Sequence, residues 1–281
     1  MIQQHCYTRA QRGLFRQSEG YDTVARSDGL TEAFIKERLH PFCYYHPSRI
    51  LQAKRVPAAE FPRAFTVVQF PEGSTLIGQT VYVETDFTGQ RPTFFTHNYV
   101  MPQAEAGSFA PCLLKRLYFF TESDWDQLPE LDTLPMNDGE ANVADEPGPL
   151  PFDEARLLQL VDAIADAVSG SRKVYVAFPS SCWIFPVLTW LYDRLPEDVL
   201  QVLGFTTFSR EPVNKKFLHL IFMDKGCMGD VRSEWDYVFD FNTGRFQIPE
   251  KLEERPEPEA EIEPPKETTL EKIARIFGVG K

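Results

Sequence analysis

The chain has 281 residues, 43% of them hydrophobic, with 23 Phe, 10 Tyr and 4 Trp. That is enough apolar material for the cores of one large or two ordinary domains. The net charge of −12 argues against nucleic acid or an anionic membrane surface as the main partner, while leaving room for a local basic patch. The opening MIQQHCYTRA lacks the charged-then-apolar pattern of a signal peptide, and no apolar run approaches the roughly 18 residues of a membrane span. Five cysteines, scattered at 6, 43, 112, 182 and 227, suggest reduced thiols, so a cytoplasmic location is expected.

In chain order, QQHCYTRA and YDTVAR have the apolar–polar alternation of two hairpin strands around a Gly-containing turn. GLTEAFIKERLHPF follows as a helix, with Leu30, Phe34, Ile35 and Leu39 on one face, Ser27 or Asp28 as its cap and Pro41 as its stop. AFTVVQF, STLIGQTVYVET and RPTFFTHNYVMP then read as three strands rich in Val, Thr, Phe and Tyr. The order of the first unit, residues 1–126, is therefore β-β-α-β-β-β. Residues 127–151 are acidic and Pro-rich and poor in large apolar groups beyond Leu134, which predicts a linker or long surface loop.

The second unit, residues 152–248, opens with the amphipathic DEARLLQLVDAIADAVSG. Leu157, Leu158, Val161, Ile164, Ala165 and Val168 are expected on its buried face, with acidic residues at its start and Gly170 at its end. KVYVAF reads as a strand buried on both faces. SSCWIFPVLTWLYDRL and PEDVLQVLG are helices, and FTTFS, FLHLIFMD and WDYVFDFNTG are further strands, which together define an α/β layer. The fold class is α+β, two units followed by an acidic, Pro-rich tail. Within that tail, residues 249–267 form a charged linker, and residues 268–281 form a short helix with a Thr268–Glu271 capping box. Leu270, Ile273 and Phe277 line one face of it. A helix of about ten residues is too short to be stable alone, so it is expected to dock onto its own body or a partner.

Candidate chemistry is sparse. Cys182 stands in SSCWIFP at a helix start, where a thiol pKa falls, and the Cys-Trp pair resembles the papain-type protease signature. The upstream Cys-Gly of that signature is absent, and the only later histidine is His219, within an apolar strand. A cysteine hydrolase using Cys182 and His219 is therefore the alternative rather than the leading reading. His40, Cys43 and His46, with His5 or Cys6, could supply soft zinc ligands, but no second paired motif accompanies them, and an aromatic-rich helix exit explains the same residues. Asp22, Asp28, Glu84 and Asp86 share no recognisable pairing and are expected to be solvated. No GxxxxGK[ST], GxGxxG, HExxH or GxSxG occurs. No catalytic residue, cofactor or metal is assigned. The basic turn carrying Arg12 and Arg16 is a candidate contact for an acidic or phosphorylated partner.

YTRAQRGLF…GYDTVARSDGL resembles the opening of the bacterial GTPase-associated protein family, in its second type of N-terminal domain. SRKVYVAF, LYDRLPEDV and LGFTTFSREP resemble that family's middle region. The resemblance implies a component encoded beside a GTPase in a bacterial defence-type system, and relatives that continue into further domains. The element order is also similar to the longin-plus-α/β arrangement of DENN proteins, which engage small GTPases through surfaces. Together these imply a non-enzymatic adaptor or regulator whose partner is a GTPase or another protein encoded nearby.

Overall fold

A computed structural model describes residues 1–102, 111, 114, 117–122, 128–134, 149–170 and 172–249. Its fold is mixed α+β, a strand-rich N-terminal part followed by a part with helices and strands. The strands are β1 (Gln3–Ala10), β2 (Gly20–Arg26), β3 (Ala64–Phe70), β4 (Ser74–Val83), β5 (Thr93–Pro102), β6 (Val174–Ala177), β7 (Phe205–Ser209), β8 (Leu220–Met223), β9 (Tyr237–Asp240) and β10 (Arg245–Gln247). All ten join one sheet in the order β10-β9-β6-β8-β7-β3-β4-β5-β1-β2.

The two units read from sequence meet inside this sheet. From β3 to β2 every pairing is antiparallel; β7, β8, β6 and β9 run parallel. The seam is the antiparallel pair β3–β7, in which Thr66 faces Thr206 and Val67 faces Phe205. Two side chains reinforce it: Thr207 Oγ1 accepts from Phe65 N at 2.9 Å, and Thr66 Oγ1 donates to Thr206 Oγ1 at 3.2 Å. Gly204 sits at the entry to the seam, where its amide donates to His219 Nδ1 and its carbonyl accepts from both His219 N and Leu220 N.

Alternation sorts the strand residues onto two faces. Val67, Ile77, Val174, Val176, Phe205, Leu220, Phe222 and Phe239 face one core. That core is covered by α3 (Glu154–Ser169) and α4 (Ile184–Tyr192), and α5 (Glu197–Leu200) adds Val199. Val68, Leu76, Val100, Tyr175, Ile221 and Val238 face the other core, where α1 (Glu32–Phe34) and its continuation lie across strands from both halves. The segment around α1, from Leu30 to Phe42, therefore bridges the seam through Leu30, Ile35, Leu39 and Phe42.

Several local readings change. Thr31, not Ser27 or Asp28, caps α1, its Oγ1 accepting from Phe34 N at 3.3 Å. Ser27 is buried because it ties strands instead: its Oγ accepts from Gln4 N and donates to Asp132 O. Pro41 does not stop the helix. α1 widens into a π turn over Ile35–Leu39 and tightens into a 3-10 turn over His40–Phe42, whose first positions tolerate proline because their amides need no intrahelical acceptor. The buried stripe of α3 is Leu157, Leu160, Ala163, Ile164 and Ala167, while Leu158 is 49% exposed. The stripe follows the i, i+3, i+7 rows around Ile164, and the more apolar Leu158 lies just outside it. α2 (Arg49–Lys54) and β10 are elements that the sequence pattern does not predict. Within the acidic stretch, residues 128–134 are pinned to the sheet: Arg26 N donates to Pro129 O, Leu131 N to Arg26 O, and Ile2 and Leu134 exchange two bonds.

The free edge of β2 is covered at its middle and at its last residue. Leu14 N donates to Thr23 O at 2.8 Å, Asp22 Oδ2 accepts from Phe15 N at 2.7 Å, and Arg26 is occupied as above. Gly13 permits this fold-back, because any Cβ there would overlap the Asp22 side chain.

A Cβ at Gly204 would overlap the Phe217 carbonyl oxygen, a backbone atom held between two strands. Gly204→Ala is expected to lower the unfolding free energy by about 1–3 kcal/mol or more, the cost of overpacking a site that cannot relax. Gly229→Ala, with nothing near its Cβ, is expected to stay within about 0.5 kcal/mol. Chemical denaturation of both variants checks the contrast.

Candidate functional site: a buried polar network and a cleft at the strand ends

Two places gather polar groups. The first lies under α1, on the β1–β5 part of the sheet. Asn98, opposite His5 in the register, has Gly78 as its other neighbour, and a Cβ at residue 78 would overlap the Asn98 amide oxygen. The Asn98 Nδ2 group reaches His5 Nδ1 at 3.0 Å and Cys43 Sγ at 3.2 Å. Since an amide nitrogen donates, His5 Nδ1 is the acceptor and its Nε2 carries the proton, directed at Thr23 Oγ1 at 2.9 Å. The Thr23 hydroxyl then donates to His40 Nε2 at 2.8 Å. The Cys43 thiol donates to Leu39 O at 3.2 Å.

Every member of this chain is satisfied, and most are sealed: His5 and Thr23 are fully buried and Asn98 and Cys43 nearly so. Burial pushes the Cys43 thiol up to about 12 despite the Asn98 hydrogen bond. It also holds His5 well below 6.5, helped by His40 and His97, and lowers His40. A protonated thiol, neutral imidazoles and an inaccessible hydroxyl make a poor nucleophile–base set. What the network does is fix α1 on the sheet, since His40 and Cys43 come from the turns that end it.

The zinc candidates separate accordingly. His40 and Cys43 join His5, but through Thr23 and Asn98; His46 turns away toward Glu211, 3.9 Å distant. Cys6 alternates to the opposite sheet face, among Val24, Ala25 and Phe95. Among the described residues, no group of three or more His, Cys, Asp or Glu side chains is placed to hold a metal ion. Two carboxylates expected in solvent are buried. Asp22 takes the Phe15 amide, and Asp86 is held below the usual carboxylate range by the Thr88 hydroxyl and amide and by the Arg9 guanidinium. Sequence offers no sign of this, since Arg9 is on β1 and Asp86 lies in the β4–β5 connection, far away along the chain.

The second place is a cleft of about 310 Å³ at the carboxyl ends of β6, β7 and β8. Phe178–Ser181 follow β6, Asp224 and Lys225 follow β8, Phe208 ends β7, and α2 with Pro62 supplies the outer wall. Cys182 is the middle residue of the 3-10 turn Ser181–Trp183 that leads into α4, and Ser180 Oγ accepts from its amide at 3.4 Å. The Cys182 thiol is exposed. His219 lies elsewhere. β6 and β8 are parallel, with Val174 beside Leu220; His219 precedes β8 whereas Cys182 follows β6, so strand length alone sets them more than about 13 Å apart. His219 Nδ1 accepts from Gly204 N at 3.0 Å, and burial and the nearby Lys173 charge depress its pKa to about 4. It belongs to the seam.

Arg12, Leu14 and Arg16 are exposed on the β1–β2 connection, and Tyr21 is exposed at the start of β2. Arg16 folds back over Gly20 and donates to Ser18 Oγ at 2.9 Å. Leu270, Ile273 and Phe277 lie outside the described residues.

With this geometry in hand, the comparisons are specific. The family model described as GTPase-associated protein 1, N-terminal domain type 2, matches residues 1–136, and that of the GTPase-associated protein 1 middle domain matches residues 143–243. The chain belongs to the GTPase-associated protein 1 family. A comparison with curated proteins gave no match.

Three histidines have depressed pKa values: buried His5, buried His97, brought to about 3 by burial, and half-buried His219, brought to about 4. A depressed folded pKa means that stability is complete above the unfolded value of 6.5 and is lost as pH falls below it, by about 1.4 kcal/mol per pH unit for each such histidine. His219→Asn, whose Oδ1 can still accept from Gly204 N, is expected to flatten the unfolding free energy between pH 6.5 and 4 by one such slope. Denaturant titrations at stepped pH measure it. Brief alkylation of the native protein is expected to label Cys182 well ahead of buried Cys6, Cys43 and Cys227, read by peptide mass spectrometry.

Proposed function

We propose that this protein is a non-enzymatic adaptor or regulatory component that binds a GTPase in the cytoplasm, within a bacterial defence-type system. Family membership supports a role linked to a GTPase. The observation that favours binding over catalysis is the placement of Cys182 and His219 at opposite ends of neighbouring parallel strands. The five antiparallel strands and α1 of the first half support a longin-like, DENN-like mode in which a GTPase is met by a surface.

The surface with the composition of a binding hot spot is the β1–β2 connection. Arg12 and Arg16 stand beside exposed Leu14 and Tyr21, and the Tyr21 ring stacks on Phe94 at 4.6 Å. Arginine and stacked tyrosine carry much of the energy in protein interfaces, because each offers large contact area with few torsions to freeze. On a chain of net charge −12, this local positive loop also offers an acidic partner surface an approach.

Co-purification with the GTPase encoded beside this chain is the test. A complex is expected, weakened about tenfold or more by Arg12→Glu with Arg16→Glu, equal to about 1.4 kcal/mol per tenfold step. Absence of a complex with GTP, with GDP and without nucleotide would refute the reading.

A further inference from the structure

The polar chain beneath the α1 segment runs in one direction. Asn98 donates to His5, His5 to Thr23, and Thr23 to His40. His5 and Thr23 are fully buried and Asn98 nearly so, whereas His40 is half-buried. A proton from solvent therefore enters this chain at His40. Its Nε2 accepts from Thr23 Oγ1 at 2.8 Å, so Nδ1 carries the hydrogen of the neutral ring and Nε2 is the nitrogen left to protonate.

Protonation turns that acceptor into a donor. N–H groups from His40 and His5 then both aim at Thr23 Oγ1, and the Thr23 hydrogen is left without an acceptor in a closed site. The other route reverses the whole chain, with Thr23 donating to His5 Nε2 and His5 Nδ1 donating to Asn98. That requires the Asn98 amide to turn over, which takes its nitrogen from Cys43 Sγ to the Gly78 backbone that its oxygen now overhangs. One route strands a buried hydroxyl and the other breaks the Asn98–Cys43 bond. Both costs are relieved when the end of the α1 segment lifts and water reaches His40 and Thr23. His5 stays clasped between Asn98 and Thr23, which belong to β5 and β2.

The surrounding charges give the direction of the response. Around the His40 ring stand His5 and Tyr7 of β1, with ring centroids 5.9 and 4.8 Å away, and Asp22 of β2. Lys36 and the Cys43 thiol lie on its own segment, and the Arg16 charge reaches Tyr7 from the β1–β2 connection. Asp22 is the one carboxylate acting on the ring, and its Oδ2 is already committed to Phe15 N. Burial lowers the His40 pKa, with Lys36 in support and Asp22 opposed. The lifted form thus binds the proton more tightly. Its share is constant above pH 6.5 and grows below it, by at most about tenfold per pH unit.

The β1–β2 connection rides on the same segment. Phe15 packs against this core, its ring 6.4 Å from His40 and beneath the Lys36 and Arg26 cations at 5.3 and 5.6 Å. It stands between the exposed Leu14 and Arg16. We propose that His40 is a proton-operated latch: proton uptake at its Nε2 frees the end of the α1 segment from Thr23 and Asn98, unseats Phe15 and withdraws the Arg12–Arg16 loop from its presented position. The latch belongs to the isolated chain. Only its consequence, that acid weakens partner binding, rests on the reading of this loop as the GTPase contact.

Hydrogen exchange of the isolated full chain, read by mass spectrometry and corrected for the intrinsic rate at each pH, tests the latch between pH 7.5 and 5. Protection of peptides covering 11–18 and 36–45 is expected to fall about threefold to tenfold across that range, while peptides of β3 and β7 keep theirs. His40→Gln, whose side-chain oxygen can still accept from Thr23 but cannot titrate, is expected to hold that protection level. In the wild-type chain, the His40 ring titration followed by NMR is expected to track the loss of protection, which decides the matter even if the variant does not fold. Unchanged protection in the wild type would overturn the latch. So would an equal loss in folded His40→Gln, or a loss spread evenly over β3 and β7, the mark of global unfolding. No arm uses the GTPase, so failure here and failure of the proposed function are read separately.

Discussion

The architecture depends on a two-residue antiparallel pairing between β3 and β7. It converts an antiparallel half and a parallel half into one continuous sheet. Without it, β3 and β7 would each expose an unpaired edge in the middle of the molecule, and α1 would have no common surface to lie across. The reinforcement is local and polar: the Thr66–Thr206 contact, the Thr207–Phe65 bond, and His219 accepting from Gly204. A seam of so few backbone pairs needs such cross-links, and it explains why a histidine with the look of a catalytic base stands at the entry to an apolar strand.

The polar network beneath α1 follows the same logic. A helix resting only on apolar side chains can slide by a turn with little change in buried area, whereas one that presents His40 and Cys43 to fixed partners cannot. Asn98, His5 and Thr23 supply those partners from three adjacent strands. The π turn over Ile35–Leu39 belongs to this arrangement: it shifts the later residues by one position, bringing His40 over Thr23 while Ile35 and Leu39 remain in the core.

Much of this fold is legible in the amino-acid pattern. β1, β3 and β7 fall where alternation or apolar runs place them, and the α3 ends follow from Asp153 and Gly170. What cannot be read are long-range pairings. Ser27 looks like a helix cap until Gln4 and Asp132 are seen beside it, and Asp86 looks solvated until Arg9 arrives from another strand. His40 and Cys43 suggest a metal because sequence shows ligand types without showing the amide and hydroxyl that satisfy them. The cleft was invisible for a related reason: it is made by the divergence of connections after β6 and β8, and no local spacing encodes that.

The closure of the β2 edge limits how this molecule can grow. Its outward carbonyl at Thr23 and both backbone groups of Arg26 are already engaged by the chain's own loops, and β10 at the far edge has only three residues. A sheet of ten strands would otherwise be a template for recruiting foreign strands or stacking copies end to end. Here neither margin offers a run of free amides long enough to seed a fibre. Concentrated protein should therefore resist strand-to-strand polymerisation, and variants that free the 13–16 fold-back from β2 are where that resistance would first fail.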